Sequence, residues 1–232
     1  MLYPSSKRRM RGAKMFTNIN SKPIILVGKM GSGKNSVANY LLTGLSDDSC
    51  KYARIKTYTT RARRDGEEPD AYHFVTNEEF DEMKENGEFA EFYETEKLCP
   101  GFALGQSGEV VKRSERVQYG SLKKDYVSER DMNPPVTVRI VILDPDGAKK
   151  AIKMLGVQNC NVIYLKAAEE TLKKRCLTRG TEDVEEIERR LRDEREKFEK
   201  FEHYTDLTIN CDNTDVEGVA QIINRYVHYE LY

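Results

Sequence analysis

The sequence predicts a three-layer α/β fold in which helices cover both faces of a parallel sheet. Four short apolar runs have the length and composition of buried strands: residues 23–27, 136–143, 161–165 and 207–210. Four segments with a helical pattern lie among and after them: residues 36–42, 147–155, 168–177 and 216–229. Strands that alternate with helices in this way favour a parallel sheet.

Composition and charge narrow the class of protein. Hydrophobic residues make up 38% of the 232 residues, and the net charge of −1 gives no general attraction to nucleic acid or to an anionic membrane. No apolar run approaches the roughly 20 residues of a membrane helix. The five cysteines form no C-x-x-C pair, which favours reduced thiols over a disulfide framework or a metal site. We expect a cytoplasmic protein that binds neither nucleic acid nor membrane.

Two regions interrupt the alternation of strands and helices. Residues 57–124 carry short β-like pieces, turns and one helix around residues 77–86, which predicts an inserted lobe. Residues 177–204 are highly charged with a thin apolar stripe, so they form either a solvated helix held by i, i+4 pairs or a mobile lid. The remaining segments are a disordered basic tail at 1–20 and a core at 21–56, 125–176 and 205–232.

Residues 28–34 (GKMGSGK) fit the phosphate-loop pattern G-x-x-x-x-G-K, between a buried strand and a helix. The glycines let successive N–H groups point inward, and the helix N-terminus adds positive potential. Lys34 would then reach the β- and γ-phosphates, a role that a simple strand–helix turn leaves unexplained. The residues predicted to bind ATP here are Gly28, Met30, Gly31, Ser32, Gly33, Lys34, Asn35 and Ser36.

The position after Lys34 departs from the pattern. Asn35 stands where a Ser or Thr hydroxyl normally binds Mg²⁺. Its amide oxygen is also an acceptable ligand, so we expect weakened or water-mediated metal contact. Ser36 is turned about 100° around the helix and is a poorer ligand. Asp144, at the end of a predicted strand, is the second candidate for Mg²⁺, unless it only forms a turn before Pro145.

An arginine-rich segment follows in the inserted lobe. Arg61, Arg63 and Arg64 stand within four residues, and clustered arginines can clamp a phosphate with paired N–H donors. A solvated loop is the alternative. Tyr72 opens a predicted strand and can place its hydroxyl on the same phosphate.

Seven segments occur in the order found in guanylate kinases. They are TTRARRDGE, YHFV, EFDEMKENGEFAEF, YGS, LDPD, LKKRCLTRGTE and NCDN. Together with the phosphate loop, this ordered set resembles the guanylate kinase family over about residues 22–228. The resemblance implies an enzyme that moves a phosphoryl group from ATP to GMP or dGMP with Mg²⁺. It also implies a monomer or homodimer whose partners are these nucleotides.

The resemblance assigns roles to matching positions. The residues implied to hold the GMP phosphate are Arg61, Arg64, Tyr72 and Tyr119. Those implied to read guanine are Thr57, Glu91, Ser121 and Asp146. Those implied to act on the transferring phosphoryl group are Lys34, Arg61, Arg175, Arg179 and Arg190. Asn210 would approach the adenine of ATP.

The chemistry of Glu91 agrees with guanine as its ligand. An ionised carboxylate only accepts hydrogen bonds, and guanine offers two adjacent donors where adenine has an acceptor at N1. A wrong base leaves the buried carboxylate unpaired, which typically discriminates by about 10⁴-fold.

The chain also departs from the family pattern. It is much longer between Glu91 and Tyr119, and this insertion, near residues 93–118, would form a hairpin, cover the acceptor site or contact a subunit. Thr57 replaces the usual Ser, and the register of Asp146 is open. Two other functions stay open, a kinase for another (deoxy)nucleoside monophosphate and a catalytically silent interaction module. The retained Lys34 and arginines disfavour the silent module.

Overall fold

The structure, a computed structural model, describes residues 22–47, 50–63, 72–104, 110–126, 136–180 and 184–231. The predicted basic tail at residues 1–20 lies outside these ranges. The chain divides into two compact units, the first made of Met1–Ile55 with Tyr126–Tyr232 and the second of Lys56–Asp125.

The described residues contain nine strands and six α-helices. In chain order these are β1 (Ile24–Val27), α1 (Lys34–Gly44), β2 (Cys50–Arg54), β3 (Tyr58–Thr59), β4 (His73–Phe74), α2 (Asn77–Glu85), β5 (Phe89–Leu104), β6 (Val110–Leu122), β7 (Val136–Ile142), α3 (Pro145–Leu155), β8 (Asn161–Lys166), α4 (Glu169–Arg179), α5 (Val184–Phe201), β9 (Leu207–Asn210) and α6 (Val216–Leu231). Where the chain is described, no helix has both the length and the apolar character needed to cross a bilayer.

The first unit is built on a parallel sheet with the strand order β2-β7-β1-β8-β9. The central strand β1 aligns Ile24 with Ile140 of β7 and with Asn161 of β8. Every residue of β1 is fully buried, as expected for a parallel strand that is covered on both faces. Because the carboxyl ends of parallel strands meet at one edge, the segments that follow β1, β7, β8 and β9 share that edge.

Where the chain is described, one apolar cluster joins helices to this sheet, and another joins helices to the turn after β1. The larger cluster contains Val37 and Leu41 of α1, Ile223 of α6 and inward residues of the strands. The smaller one holds Met30, Leu172, Cys176, Ile187 and Leu191 together, so the turn after β1 packs on α4 and α5.

The charged segment at residues 184–201 is the helix α5, and its apolar stripe is a buried face. Ile187, Leu191, Phe198 and Phe201 are all buried at spacings that return to one side of a helix. The charges on the remaining surface form close pairs, such as Arg189 with the carboxylates before and after it. Burial of the stripe therefore holds α5 against the rest of the unit.

The second unit is built on a mixed sheet with the order β4-β3-β6-β5. β3 pairs parallel with β4 and antiparallel with β6. β5 and β6 form one long antiparallel hairpin, paired from Phe89 opposite Leu122 to Leu104 opposite Val110. The insertion near residues 93–118 extends these two strands, so the hairpin is the outcome that the structure favours.

The predicted fold class is confirmed, because the structure contains a five-stranded parallel sheet and a separate mixed four-stranded sheet. The predicted helix at residues 77–86 is α2, which begins with a capping box between Thr76 and Glu79. The prediction missed β2. Tyr52 of β2 is buried while Lys51 and Arg54 are exposed, so this edge strand has no continuous apolar run.

Candidate functional site

Two glycines of the turn between β1 and α1 have backbone conformations that favour glycine. Gly31 and Gly33 have φ angles of 74° and 89°, in the left-handed region where other residues are strained. A Cβ atom on Gly31 would also lie 2.8 Å from the carbonyl oxygen of Leu172 and 2.9 Å from Sγ of Cys176, whereas one on Gly33 would meet open space. Gly33 is therefore needed only for its backbone conformation. Gly31 is needed for its conformation and also because the turn lies close to α4.

This turn has the polar groups of an anion site. Ser32 is only 2% exposed, and its Oγ has no hydrogen-bond partner among the residues that the structure describes. A buried hydroxyl of this kind can donate a hydrogen bond to a bound anion. The N-terminus of α1 adds unsatisfied N–H groups and positive potential. The turn therefore fits a bound phosphate group.

Lys34 opens α1 and folds back over the turn. Its Nζ donates to the carbonyl oxygens of Gly28 at 2.6 Å and Lys29 at 2.9 Å. Burial lowers the pKa of Lys34 from 10.5 to about 8, and the negative charge of Glu194 opposes this effect. The side chain is therefore still mostly charged at neutral pH, which leaves a cation buried beside the helix N-terminus.

The three arginines predicted for the transferring phosphoryl group divide into two sets. Arg179, at the end of α4, and Arg190, on α5, both lie near enough to Lys34 to lower its pKa. Arg175 instead donates from Nη2 to the carbonyl oxygen of Cys211 at 2.7 Å. Arg179 and Arg190 thus share the electrostatic environment of Lys34, while Arg175 lies against the segment after β9.

Glu194 of α5 also lies at this turn, although no motif predicts it. The backbone N–H of Met30 donates to Oε2 of Glu194 at 3.1 Å. The sequence signal for it is its position four residues after Arg190, which puts both on one face of α5. The turn thus contacts a carboxylate as well as its cations.

A second ion-pair group connects the turn to the helices that follow it. Lys29 pairs with Glu169 of α4 at 3.1 Å, and Arg195 of α5 pairs with the same carboxylate at 2.5 Å. The hydrogen bond from Arg195, and then the one from Lys29, lower the pKa of Glu169 to about 2. The turn, α4 and α5 are therefore linked by charge as well as by apolar packing.

The two predicted metal ligands differ in how well they fit Mg²⁺. Asn35 Oδ1 accepts a hydrogen bond from Nη2 of Arg54 at 2.7 Å, so a guanidinium already occupies the amide oxygen. Asp144 caps α3 by accepting from the N–H of Gly147 at 2.7 Å through one oxygen. Over the described ranges, no group of three or more His, Cys, Asp or Glu side chains could hold a metal. Mg²⁺ that is bound together with a nucleotide needs only one or two protein ligands, and Asp144 fits this role better than Asn35.

Three other predicted residues of the first unit lie in surroundings that differ from those of Lys34. Ser36 is exposed on α1. Asn210 ends β9, and its Oδ1 accepts from the N–H of Asp212 at 2.8 Å. Asp146 is exposed on α3 and pairs with Lys149 at 3.7 Å. Asp146 therefore belongs to the first unit, whereas the other residues predicted to read guanine belong to the second.

A buried carboxylate and a hydroxyl form a pair in the second unit. Glu91 is 4% exposed, and Oγ of Ser121 donates to its Oε1 at 2.7 Å. The two residues are directly opposite each other on β5 and β6. A buried carboxylate needs hydrogen-bond donors, so this position suits a ligand group that offers adjacent N–H bonds.

Arg61 lies among aromatic rings in the same unit. It is 5% exposed, and its guanidinium lies 5.2 Å from the ring centre of Tyr72 and 5.7 Å from that of Phe74. The ring of Tyr119 lies 6.4 Å from that of Tyr72. The structure thus brings together three of the four residues predicted for the acceptor phosphate.

Thr57 and Arg64 are the two other predicted residues of the lobe. The carbonyl oxygen of Thr57 accepts from the N–H of His73 at 2.9 Å, beside the parallel pairing of β3 and β4. Arg64, the fourth residue predicted for the acceptor phosphate, lies outside the described ranges.

Tyr93 extends the aromatic group and was not among the predicted residues. Its ring stacks on that of Tyr119 at 5.0 Å and 14°, although 47% of Tyr93 is exposed. Residues two apart on a strand share a face, so Tyr93 lies on the face of Glu91, and Tyr119 on the face of Ser121. The alternation Glu91-Phe92-Tyr93 is the sequence signal for this residue.

Comparison with known proteins agrees with these features. A family model described as "Guanylate kinase" matches residues 20–118. The guanylate kinase of Anaplasma phagocytophilum is 29% identical over 161 residues, which cover 69% of this chain and 65% of that protein. The guanylate kinase of Wolinella succinogenes is 28% identical over 168 residues, which cover 69% and 63%. The chain thus spans less than two thirds of these curated relatives.

A solved structure extends the similarity to most of the chain. The crystal structure of guanylate kinase from Anaplasma phagocytophilum superposes with a TM-score of 0.54 at 25% sequence identity. The match covers 92% of this chain and 89% of that one. The likeness therefore reaches beyond residues 20–118 and includes both sheets.

Proposed function

This chain belongs to the guanylate kinase family, and from that premise we propose that it transfers the γ-phosphoryl group of ATP to GMP or dGMP. The observation that carries the proposal is the turn at residues 28–34, with a buried Lys34 in the electrostatic environment of Arg179 and Arg190. Lys34 at the N-terminus of α1, with two arginines in its electrostatic environment, suits a triphosphate, since these cations oppose its charge.

ATP is assigned to the first unit. Residues 28–33 and the first turn of α1 would surround the β- and γ-phosphates with N–H donors and the hydroxyl of Ser32. Lys34 would contact the same phosphates. Asn210, at the end of β9, would lie toward the adenine. Arg175, which holds the carbonyl oxygen of Cys211, would support that segment in addition to its proposed role at the phosphoryl group.

GMP is assigned to the second unit. Arg61, Tyr72 and Tyr119, together with Arg64, would bind its phosphate by charge and by hydroxyl hydrogen bonds. Glu91 would accept from N1–H and the 2-amino group of guanine, while Thr57 and Ser121 serve its O6 side. The buried pair of Glu91 and Ser121 supports this assignment, because its carboxylate rejects a base that lacks two adjacent donors. Asp146 is also proposed to read the amino edge of guanine.

The proposed reaction exchanges one bond to phosphorus for another. The bond from γ-phosphorus to the β,γ-bridging oxygen breaks, and a bond from γ-phosphorus to a GMP phosphate oxygen forms, giving ADP and GDP. Catalysis of this kind depends on positioning and charge stabilisation, so no protein nucleophile is required. Lys34, Arg179 and Arg190 would stabilise the negative charge of the transferring group. When bound with ATP, Mg²⁺ would neutralise phosphate charge, held on the protein side by Asp144 and, more weakly, by Asn35.

The direct test is an assay of ADP release with Mg-ATP and each of GMP, dGMP, AMP, CMP, UMP and dTMP. We expect turnover with GMP or dGMP and at least a hundredfold lower kcat/KM with AMP, a lower bound on the roughly 10⁴-fold discrimination that a base-reading carboxylate gives. Turnover of none of the six would defeat the kinase proposal and favour the silent interaction module. Preference for a pyrimidine would defeat only the base assignment.

Two lysine variants separate the proposed chemistry from general effects of charge. Lys34→Ala removes the buried ammonium and should abolish transfer, while Lys51→Ala, which changes an exposed lysine on β2, should not. Circular dichroism on both variants checks that each is folded. Wild-type turnover in folded Lys34→Ala protein would contradict the role of Lys34.

A further inference from the structure

We infer that Glu194 is a built-in counter-ion of the donor site, a carboxylate that the phosphates of the donor nucleotide must displace or move aside. The inference rests on the proposed function, because it deepens the assignment of ATP to the turn at residues 28–34. It adds an affinity-determining residue that neither the motif nor the family resemblance contains.

The geometry places the carboxylate on the turn itself. Oε2 of Glu194 accepts from the N–H of Met30 at 3.1 Å, so an anionic group of the protein uses a backbone donor of the turn. The buried Oγ of Ser32, two residues further on, has no partner where the structure is described. The turn therefore holds one anionic side chain and also contains a polar group without a partner in the described protein.

The surrounding charges explain why a carboxylate is stable there. Lys34, Arg179 and Arg190 are mutually repulsive cations, as their effects on the pKa of Lys34 indicate, and Glu194 is the acidic residue that most opposes them. A polyphosphate brings more negative charge to the same cations. Two anions in one small site repel each other, so the charge of Glu194 weakens nucleotide binding by an amount that grows with phosphate number.

The contact also lies on a helix that carries one of the proposed phosphoryl-stabilising arginines. Arg190 and Glu194 are one turn apart on α5, and Arg195 ties the same helix to the turn through Glu169 and Lys29. When phosphate displaces Glu194, the hydrogen bond to Met30 is lost while the link through Glu169 remains. Nucleotide binding thereby exchanges the counter-ion on α5 without detaching the helix.

The test compares nucleotide affinity in Glu194→Gln and Asp193→Asn proteins by calorimetry at pH 7.0 and low salt. Glutamine keeps an oxygen for the N–H of Met30 and removes only the charge. Asp193→Asn is a matched control, because it removes the adjacent carboxylate, which is exposed and pairs with Arg189. The ligands are ATP, ADP, adenosine and inorganic tripolyphosphate, each without added metal.

We expect Glu194→Gln to tighten ATP binding about tenfold, ADP binding less, and adenosine binding not at all, with Asp193→Asn unchanged. Equal or weaker ATP binding in Glu194→Gln overturns the inference, as does an equal gain in Asp193→Asn. If tripolyphosphate binding tightens in Glu194→Gln but no variant binds ATP, the counter-ion inference stands and the assignment of ATP as donor fails. If neither ligand binds any of the proteins, both fail.

Discussion

Ser121 donates a hydrogen bond to the buried carboxylate of Glu91 across 2.7 Å, from the directly opposite position on the neighbouring strand. The hydroxyl orients the carboxylate and stabilises its charge in an environment with little solvent. The discriminating acceptor of the proposed guanine site is therefore fixed by the sheet rather than by a loop. This relationship leads to the first prediction.

Glu91→Gln should lower kcat/KM for GMP by about a hundredfold or more, because the amide N–H₂ faces donors of guanine instead of accepting from them. The preference for GMP over AMP should shrink as well. Steady-state kinetics with both nucleotides measures the effect. Glu96→Gln, an exposed change on the same strand, is the control and should behave as wild type. An unchanged GMP preference in Glu91→Gln protein would refute the role of this carboxylate.

Two glycine variants should separate backbone strain from steric overlap. Gly33→Ala places a side chain at φ 89° in open space and should cost about 1–2 kcal/mol from the left-handed conformation alone. Gly31→Ala adds overlap with Leu172 and Cys176, for a further 1–3 kcal/mol or so. Urea unfolding of both variants measures the difference. Equal losses of stability would mean that the close approach of the turn to α4 adds nothing to the destabilisation by Gly31→Ala.

The sequence predicts the central part of the first unit well, and physical reasons explain this. β1 and β8 are buried on both faces, so their strands read as continuous apolar runs, and the glycines of the turn are needed for its backbone. The edge strand β2 has a mixed pattern that these criteria miss, and for the hairpin of β5 and β6 they leave three alternatives open, of which a hairpin is one. The residues Glu194 and Tyr93 were missed for another reason. Their contacts join segments far apart in the chain, and no local pattern encodes such partners.

The depressed pKa of Lys34 predicts that nucleotide binding takes up protons. At pH 8, near the pKa of about 8, roughly half of the free protein carries a neutral Lys34, and bound phosphate favours the charged form. ATP binding should therefore take up about half a proton at pH 8 and almost none at pH 6.5. Calorimetry in buffers of different ionisation enthalpy measures this uptake.

The charge of Lys34 also sets the direction in which the affinity for ATP changes with pH. As pH rises from 7 to 9, the charged fraction of Lys34 falls, so the apparent affinity for ATP should fall by about tenfold. The measurement at pH 6.5 is the internal control, because Lys34 is already protonated there. Zero proton uptake at both pH values would mean that Lys34 does not contact the phosphates.

Asn35→Thr should lower the Mg²⁺ concentration that gives the half-maximal rate. The change restores a hydroxyl at the position where phosphate loops supply a metal ligand, and it removes the amide oxygen that Arg54 now holds. A titration of Mg²⁺ at fixed ATP measures the effect, with Asn39→Thr, a second exposed asparagine of α1, as the control. If the Mg²⁺ requirement does not change, the metal is held by Asp144 and the nucleotide alone.

Tyr93→Ala should raise KM for GMP about two- to tenfold with little change in kcat, because an aromatic pair contributes roughly 0.5–1.5 kcal/mol beyond burial. The stacked ring of Tyr93 holds that of Tyr119, whose hydroxyl is proposed to bind the acceptor phosphate. Tyr93→Phe keeps the ring and should restore the wild-type KM. Tyr229→Ala, a change at a highly exposed tyrosine of α6, should have no effect. A phenylalanine that fails to rescue would show that the hydroxyl of Tyr93, and not its stacking on Tyr119, is what the acceptor site uses.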